Sequence, residues 1–335
     1  MNAATRKFRS VVAATAAVLI AATTLAGCGG SSASSKDADA AVSIGVEPWL
    51  GYAPWYIAEK NGYFKDQNVS ATITNFDTDS DMNAAIAAGK IQAGNVGTQS
   101  ALQMLENKVD VSVVMVLDAS ETADAIISDG SMASVADLKG KSVAYEEGST
   151  SDVLLNYALE EQGLGVDDIK KVPMSASSAG TAVIAGKVPA AVTYEPYITE
   201  ARQKDPNIKV VYTPSAKEGL ISDVLVVRND FIKNHPDQLT SLLKAWDQSI
   251  AFYDKNTDEG QEIIATAIGS KKEDLKTAFA GVRYFTAKDN AGKLTGDFKS
   301  TFEAVNKASI KAKIVNGTLN PDDYVNAEFA QKAAR

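Results

Sequence analysis

The sequence predicts an α/β protein built from two similar lobes, and two observations carry that prediction. Short apolar, β-branched runs alternate with longer helical patterns over most of residues 41–213. A weak internal repeat relates "AAGKIQAGNVGTQ" (87–99) to "IAGKVPAAVTYEP" (184–196), 97 residues further on. Both copies read as a helix, a glycine, a lysine, a strand and a polar or aromatic turn. Alternation of this kind is typical of lobes with a largely parallel sheet and helices on its faces.

The first 40 residues are expected to lie outside the fold. Arg6, Lys7 and Arg9 precede an apolar stretch that ends in "LAGC", and its Cys28 is the only cysteine of the chain. This arrangement resembles a bacterial lipobox, which implies a lipoprotein signal peptide over 1–27 and a lipid on Cys28. A secretory signal with a coincidental cysteine is the alternative. The Gly/Ser-rich residues 28–40 are predicted to be a flexible tether, so the folded part is exported and membrane-anchored.

Composition excludes several classes of function. The net charge is −9, and removal of three basic residues with the signal segment leaves −12, which argues against binding nucleic acid. The single histidine, His235, precedes a proline at a predicted helix start. With one His and one Cys, the chain lacks the residues for Ser-His-Asp or Cys-His catalysis and for His-rich zinc sites. We therefore predict no catalytic residue, no metal and no cofactor.

The predicted elements follow in order from the local patterns. Residues 41–46 ("AVSIGV") form a strand, and 54–62 form a helix that starts at Pro54 and ends at Gly62. The later strands are predicted at 70–76, 91–96, 109–117, 141–146, 169–174, 188–194 and 208–213. The later helices are predicted at 81–90, 99–108, 180–187, 234–256, 259–269, 272–281 and 295–310, with a further long helix after the Gly/Ser/Thr turn near 148–150.

Several segments together resemble one known family. They are "WLGYAPWYIAEKNGYFKDQNV", "FDTDSDMNAAIAAGKIQAGNVGTQSAL", "VADLKGKSVAYEEGSTSDVLLNYALEEQGL", "AAVTYEPY" and "GLISDVLVVRNDFIKNHPD", in this order. The chain from 42 to about 290 is similar to solute-binding proteins of bacterial ABC importers in the nitrate/sulfonate/taurine group, which includes binders of thiamine-pyrimidine precursors.

The resemblance implies a two-lobed periplasmic-binding-protein fold of type II (a Venus flytrap) with two hinge crossovers. Lobe 1 would comprise 41–128 plus 214–335, and lobe 2 would comprise 129–213. It also implies a monomer on the extracytoplasmic face of the membrane, without enzymatic activity, that passes a small solute to an ABC permease and its ATPase.

Candidate ligand-binding residues lie at predicted strand ends, because ligands of open α/β sheets bind outside the carboxyl ends of the strands. In the aromatic loop after the first strand, Trp49 and Tyr52 are predicted to face the cleft, whereas Trp55 fits the cleft and the core equally well. Asp79 is interpreted as a helix N-cap. The other candidates are Asp77, Thr98, Asp118, Ser120, Ser149, Thr150, Tyr194, Glu195 and Asp223.

The charge around these loops favours a cationic or zwitterionic ligand. The loops contain no Lys or Arg. Their acidic residues are Glu47, Asp77, Asp79, Asp118, Glu121, Glu146, Glu147, Glu195 and Asp223. A guanidinium, an amidine, a betaine, taurine or an aminopyrimidine would suit such a pocket. Three alternatives stay open: a sulfonate or nitrate held by helix N-termini, a related pyrimidine-synthesis enzyme, and a ligand sensor without an importer.

Overall fold

The computed structural model describes residues 41–217 and 219–335, which form two separate β-sheets flanked by helices. The predicted signal peptide (1–27) and the whole predicted tether (28–40), including Cys28, lie outside the described residues. The strands are β1 (Ala41–Val46), β2 (Ser70–Asn75), β3 (Ala93–Gly97), β4 (Val111–Ser120), β5 (Asp124–Ser128), β6 (Ser142–Tyr145), β7 (Lys170–Pro173), β8 (Ala190–Tyr194), β9 (Lys209–Tyr212), β10 (Ser222–Arg228) and β11 (Val282–Tyr284).

The first sheet contains six strands in the order β11-β4-β10-β3-β1-β2. Strand β1 pairs parallel with β2 and β3, whereas β10 runs antiparallel to both β3 and β4. The expected largely parallel sheet is therefore mixed. The reason is connectivity: β10 enters directly from the second sheet and runs against its neighbours, so it needs no helical crossover.

The second sheet contains five strands in the order β7-β6-β8-β5-β9. Its strand β5 (Asp124–Ser128) pairs with β8 and β9, although the sequence assigns residues 124–128 to the end of lobe 1. The chain thus passes between the sheets after β4 and again between β9 and β10. The first passage lies upstream of residue 128 because the apolar side chains of β5 are buried in the second sheet.

The helices of the described residues agree with most of the predicted pattern. Helix α1 begins with Pro54 and ends at Gly62, whose φ of +78° is the left-handed conformation that favours glycine. No helix of this part of the chain is long and apolar enough to cross a membrane. The helices are α1 (Pro54–Asn61), α2 (Tyr63–Asp66), α3 (Asp79–Ala87), α4 (Thr98–Glu106), α5 (Thr150–Glu161), α6 (Ala176–Ile184), α7 (Tyr197–Lys204), α8 (Asn229–Asn234), α9 (Pro236–Lys255), α10 (Thr257–Ala267), α11 (Lys276–Phe279), α12 (Ala287–Lys293), α13 (Asp297–Lys311) and α14 (Glu328–Ala333).

Trp55 belongs to the core of the first sheet. Its side chain is 0% exposed, and its ring centroid lies 4.7 Å from that of Trp246 in α9. Its indole Nε1 donates a hydrogen bond of 2.7 Å to Oδ1 of Asn95 in β3. A buried indole needs such a partner, so Trp55 ties α1 to the sheet and to α9. Of the two positions that the sequence leaves open for Trp55, the structure selects the core.

Helices packed on the first sheet contact helix α5 and its preceding turn in the second lobe, and these contacts hold the two lobes together beside the cleft. Gln103 in α4 donates through Nε2 to the carbonyl of Gly148, 3.0 Å away, in the turn before α5. Helix α13 packs against both α4 and α5, and Lys311 of α13 forms an ion pair with Glu160 of α5. The C-terminal helices of the first lobe therefore also contact the second lobe.

Candidate functional site

A small cavity lies where strand ends of the two sheets meet. It is lined by Glu47, Trp49, Tyr52, Asp79, Gly97, Asp124, Thr150, Tyr194, Ile221 and Asp223. The space open to the centres of water molecules is about 30 Å³. This is a compact space, which suits a small ligand better than an extended one.

Three aromatic rings line the cavity, those of Trp49, Tyr52 and Tyr194. Trp49 and Tyr194 meet edge to face, with ring centroids 5.7 Å apart and planes at 88°. Tyr194 in turn lies edge to face with Tyr197, at 5.3 Å. Because Trp49 belongs to the first lobe and Tyr194 ends β8 of the second, this aromatic contact joins the two lobes directly beside the cavity.

The loop that carries Trp49 and Tyr52 is held in place from below. Trp49 Nε1 donates to Asp118 Oδ1 at 3.2 Å, and the Tyr284 hydroxyl donates to the Leu50 carbonyl at 2.9 Å. Gly51 allows this approach, since a Cβ at that position would lie 2.2 Å from Asp118 Oδ2. The loop after β1 is therefore a fixed part of the site.

Four carboxylates line the cavity: Glu47, Asp79, Asp124 and Asp223. Glu47 and Asp124 are 8% and 5% exposed, and each has one buried oxygen without a hydrogen-bond partner, Oε1 of Glu47 and Oδ2 of Asp124. Among the described residues that line the cavity, none is a Lys or an Arg. Buried carboxylates usually have a counter-charge or hydrogen-bond donors beside them. Four carboxylates in so small a cavity make it strongly acidic.

A fifth carboxylate lies directly behind the cavity. Asp118 of β4 stands opposite Asp223 of β10 in the first sheet, and both side chains are almost completely buried. Burial raises the pKa of Asp118 to about 8, against the lowering effect of the Trp49 hydrogen bond. Burial, followed by the neighbouring charge of Asp118, raises the pKa of Asp223 well above its ordinary value. The pair therefore retains a proton near neutral pH.

The remaining acids of the site are shifted in the same direction. Burial raises the pKa of Asp124 to about 7, and that of Glu146 also to about 7. Burial, followed by the charge of the neighbouring Asp79, raises the pKa of Glu47 well above its ordinary value. Each raised pKa reports a site in which negative charge is unfavourable until a cation or a proton compensates it.

Five of the candidates that the sequence proposes line the cavity: Trp49, Tyr52, Thr150, Tyr194 and Asp223. Three others support these without lining it. Asp118 accepts from Trp49, Ser120 Oγ accepts from the backbone N–H of Asp124 at 3.0 Å, and Ser149 Oγ accepts from the N–H of Ser151 at the start of α5. Asp118 and Ser120 lie within β4 because that strand continues to Ser120.

Four candidates lie away from the cavity. Trp55 is in the core, and Asp77 is exposed to solvent after β2. Thr98 Oγ1 donates to the Ser222 carbonyl at 2.8 Å. The Glu195 carboxylate accepts from the N–H and the hydroxyl of Thr199, at 2.9 and 3.0 Å, and so satisfies the first turn of α7. The strand-end position of Glu195 is as predicted, but its carboxylate is occupied by the following helix.

Sequence reasoning left five lining residues out of the candidate list: Glu47, Asp79, Gly97, Asp124 and Ile221. The N-cap of α3 is Thr78, whose hydroxyl accepts from the N–H of Asp81, and not Asp79. This frees Asp79 Oδ2 to accept from Gln99 and Ser100 beside the cavity. A signal for Glu47 was present in the acidic character of its loop, whereas Asp124 begins a strand that the sequence pattern does not reveal.

The site combines carboxylate oxygens with aromatic rings. Carboxylate oxygens attract positive charge, and aromatic rings attract it through their faces. Among the described residues, no group of three or more His, Cys, Asp or Glu is arranged to hold a metal ion.

Comparison with known proteins gives consistent matches. The family described as NMT1/THI5 like matches residues 49–259. The taurine-binding periplasmic protein of Escherichia coli (strain K12) is 23% identical over 300 residues, which cover 87% of this chain and 93% of that protein.

Solved structures share the architecture at low sequence identity. The periplasmic aliphatic sulphonate binding protein of Escherichia coli matches with a TM-score of 0.71 at 16% identity, covering 87% of this chain and 98% of that chain. The periplasmic nitrate-binding protein of Synechocystis PCC 6803 matches with a TM-score of 0.75 at 14% identity, covering 88% of each chain. The predicted two-lobed periplasmic-binding-protein fold is confirmed.

Proposed function

Because the chain belongs to the NMT1/THI5-like family, we propose that it is an extracytoplasmic solute-binding protein that delivers a small solute to an ABC importer. The solute binds in the cavity between the lobes and is released without chemical change, so the protein has no enzymatic role. Its partners are a permease and an ATPase, and it works as a monomer. The taurine-, aliphatic sulphonate- and nitrate-binding relatives support this class.

We further propose that the solute is a small nitrogen compound with a positive charge, either a cation or a zwitterion. One observation carries this proposal: four carboxylates and three aromatic rings line the cavity, and the part of the chain that the structure describes places no Lys or Arg there. Taurine and betaines carry a positive group as well, whereas aliphatic sulfonates and nitrate present only a negative group. In this cavity, such a group would face carboxylates without a basic residue to neutralise it.

A thermal-shift screen tests the proposed ligand class. Simple guanidines, amidines, betaines and aminopyrimidines are expected to raise the Tm, and methanesulfonate and nitrate are expected to leave it unchanged. A ligand at a hundred times its Kd adds about 2.7 kcal/mol to the free energy of unfolding, which is readily measured. Potassium chloride at equal ionic strength is the control for salt. Stabilisation by sulfonate or nitrate alone would contradict the cationic preference and leave the binding-protein class intact.

We also propose that Cys28 anchors the protein to the membrane through a lipid, as its position in "LAGC" indicates. Cys28→Ser is expected to abolish incorporation of a labelled fatty acid and to move the protein from the membrane to the soluble fraction. Wild-type protein treated in parallel is the control. Equal labelling of both proteins would show that the lipid, if any, is attached elsewhere.

A further inference from the structure

We propose that the ligand is a compact cation of the guanidinium or amidinium type, which donates several N–H hydrogen bonds in different directions. This inference rests on the proposed cation-binding function and narrows it. It separates N–H-donating cations from quaternary ammonium compounds, which carry the same charge without a donor.

The first step is the position of the unpartnered acceptors. Glu47 Oε1 and Asp124 Oδ2 are buried oxygens of cavity-lining residues, and no donor among the described residues reaches either of them. The Glu47 carboxyl lies beside that of Asp79, with which it can share a proton in the absence of ligand. Glu47 follows β1 of the first lobe, and Asp124 begins β5 of the second. The two lobes therefore present one open acceptor each to the same small space.

The second step is the energetic cost of leaving these acceptors open. A buried polar atom without a partner destabilises the folded protein, and more strongly if the atom is charged. Native proteins keep few such atoms, and those that occur at a cavity call for an explanation. A ligand with N–H groups at two ends satisfies both oxygens at once, whereas a quaternary ammonium ion satisfies neither.

The third step is the shape of the site. A guanidinium is planar and presents its donors as a fork that matches carboxylates, and it also stacks on aromatic faces. The cavity offers both partners, since the rings of Trp49 and Tyr194 lie beside the carboxylates. Its volume of about 30 Å³ favours a ligand of few heavy atoms over an extended one.

Calorimetric titration with ions of matched charge tests the inference. Guanidinium and acetamidinium chlorides at millimolar concentration are compared with tetramethylammonium chloride at pH 8 and constant ionic strength. The N–H-donating ions are expected to bind about tenfold more tightly or better, because each charged hydrogen bond contributes more than a kilocalorie. Magnesium chloride is included as a competing cation without N–H donors.

Two variants connect the expected difference to the two open acceptors. Asp124→Asn and Glu47→Gln are each expected to weaken guanidinium binding about fivefold or more and to weaken tetramethylammonium binding by a clearly smaller factor, since only its charge attraction is lost. Asp247→Asn is the matched control, because Asp247 is a partly buried acid that accepts from Ala287 and does not line the cavity. Melting curves verify that each variant folds. If one variant does not fold, the comparison of guanidinium with tetramethylammonium on the wild-type protein still tests the inference.

The outcomes separate this inference from the function on which it rests. Equal or tighter binding of tetramethylammonium overturns the N–H-donor class while cation binding stands. Preferred binding of magnesium overturns it in favour of a metal site. If neither organic cation binds but a sulfonate does, both the inference and the cationic preference are wrong.

Discussion

Asp223→Asn is expected to weaken binding of the cationic ligand by about 2 kcal/mol or more, roughly thirtyfold in Kd, and to raise the Tm of the unliganded protein. The two effects have one cause. Asp223 is 4% exposed, stands opposite Asp118 and lines the cavity. A desolvated carboxylate attracts a ligand cation strongly, but without the ligand its ionisation is opposed by burial and by its acidic neighbours.

The stabilising part of this prediction follows from the surroundings of Asp223. Burial and then the charges of Asp118 and Asp124 raise the pKa of Asp223, and the Tyr52 hydroxyl donates a hydrogen bond to it. An amide of nearly the same shape removes the charge and retains an oxygen for Tyr52. The free energy of unfolding at pH 8 should therefore increase even though a binding residue is lost, as is common at strained functional sites.

Calorimetry and melting curves at pH 8 measure the two effects separately. Asp247→Asn is the control, since burial also raises the pKa of Asp247, to about 6, at a position outside the cavity. It is expected to leave the Kd unchanged. If Asp223→Asn binds the ligand as tightly as wild type, then the carboxylate does not meet the ligand's positive group. If it binds more tightly, the ligand is an anion.

The fold was largely predictable because its signals are local. The alternating pattern of β1 and the Pro54 and Gly62 boundaries of α1 depend only on neighbouring residues. Strand β5 escaped prediction because it is short and follows a polar stretch, so its identity depends on pairing with β8 and β9. Whether β10 runs parallel or antiparallel likewise depends on the path of the chain and not on its own residues.

The site was predictable in position but not residue by residue. The aromatic loop contains Trp49 and Trp55 six positions apart, and only long-range partners decide their roles: Asp118 below the cavity for one, Asn95 and Trp246 in the core for the other. Glu195 shows the converse case. Its strand-end position indicates a ligand contact, yet the Thr199 side chain one turn later takes its carboxylate. Local sequence thus identifies the strand ends, while packing selects which side chains face the ligand.

Raising the pH from 5 to 8 is expected to lower the Tm of the unliganded protein by about 4 °C or more. Burial raises the pKa of Asp124 and of Glu146 to about 7, and that of Asp118 to about 8. In the unfolded chain these carboxyls lose their protons near pH 4. Between pH 5 and the raised values the folded protein therefore binds more protons than the unfolded one, and its free energy of unfolding falls as the pH rises.

The size of this effect follows from one carboxyl. A group that stays protonated only in the folded state across two pH units changes the stability by about 2.7 kcal/mol. For a chain of this length each kcal/mol shifts the Tm by about 2 °C. Acids with ordinary pKa values are fully ionised above pH 5 in both states and contribute little, and the chain has only one histidine. A Tm that is flat or rises between pH 5 and 8 would contradict the buried, protonated state of these acids.

The affinity for the ligand is expected to change with pH in the opposite direction to the stability of the unliganded protein. A bound cation compensates the same carboxylates that protons occupy in its absence, so binding releases protons. The Kd should therefore fall as the pH rises from 6 to 8, by about tenfold per pH unit for each proton released. Calorimetry in two buffers of different ionisation enthalpy measures the proton release directly. Asp223→Asn should reduce it, because one member of the pair with Asp118 can no longer exchange a proton. Binding that is independent of pH and releases no protons would mean that the ligand's charge is met outside this carboxylate cluster.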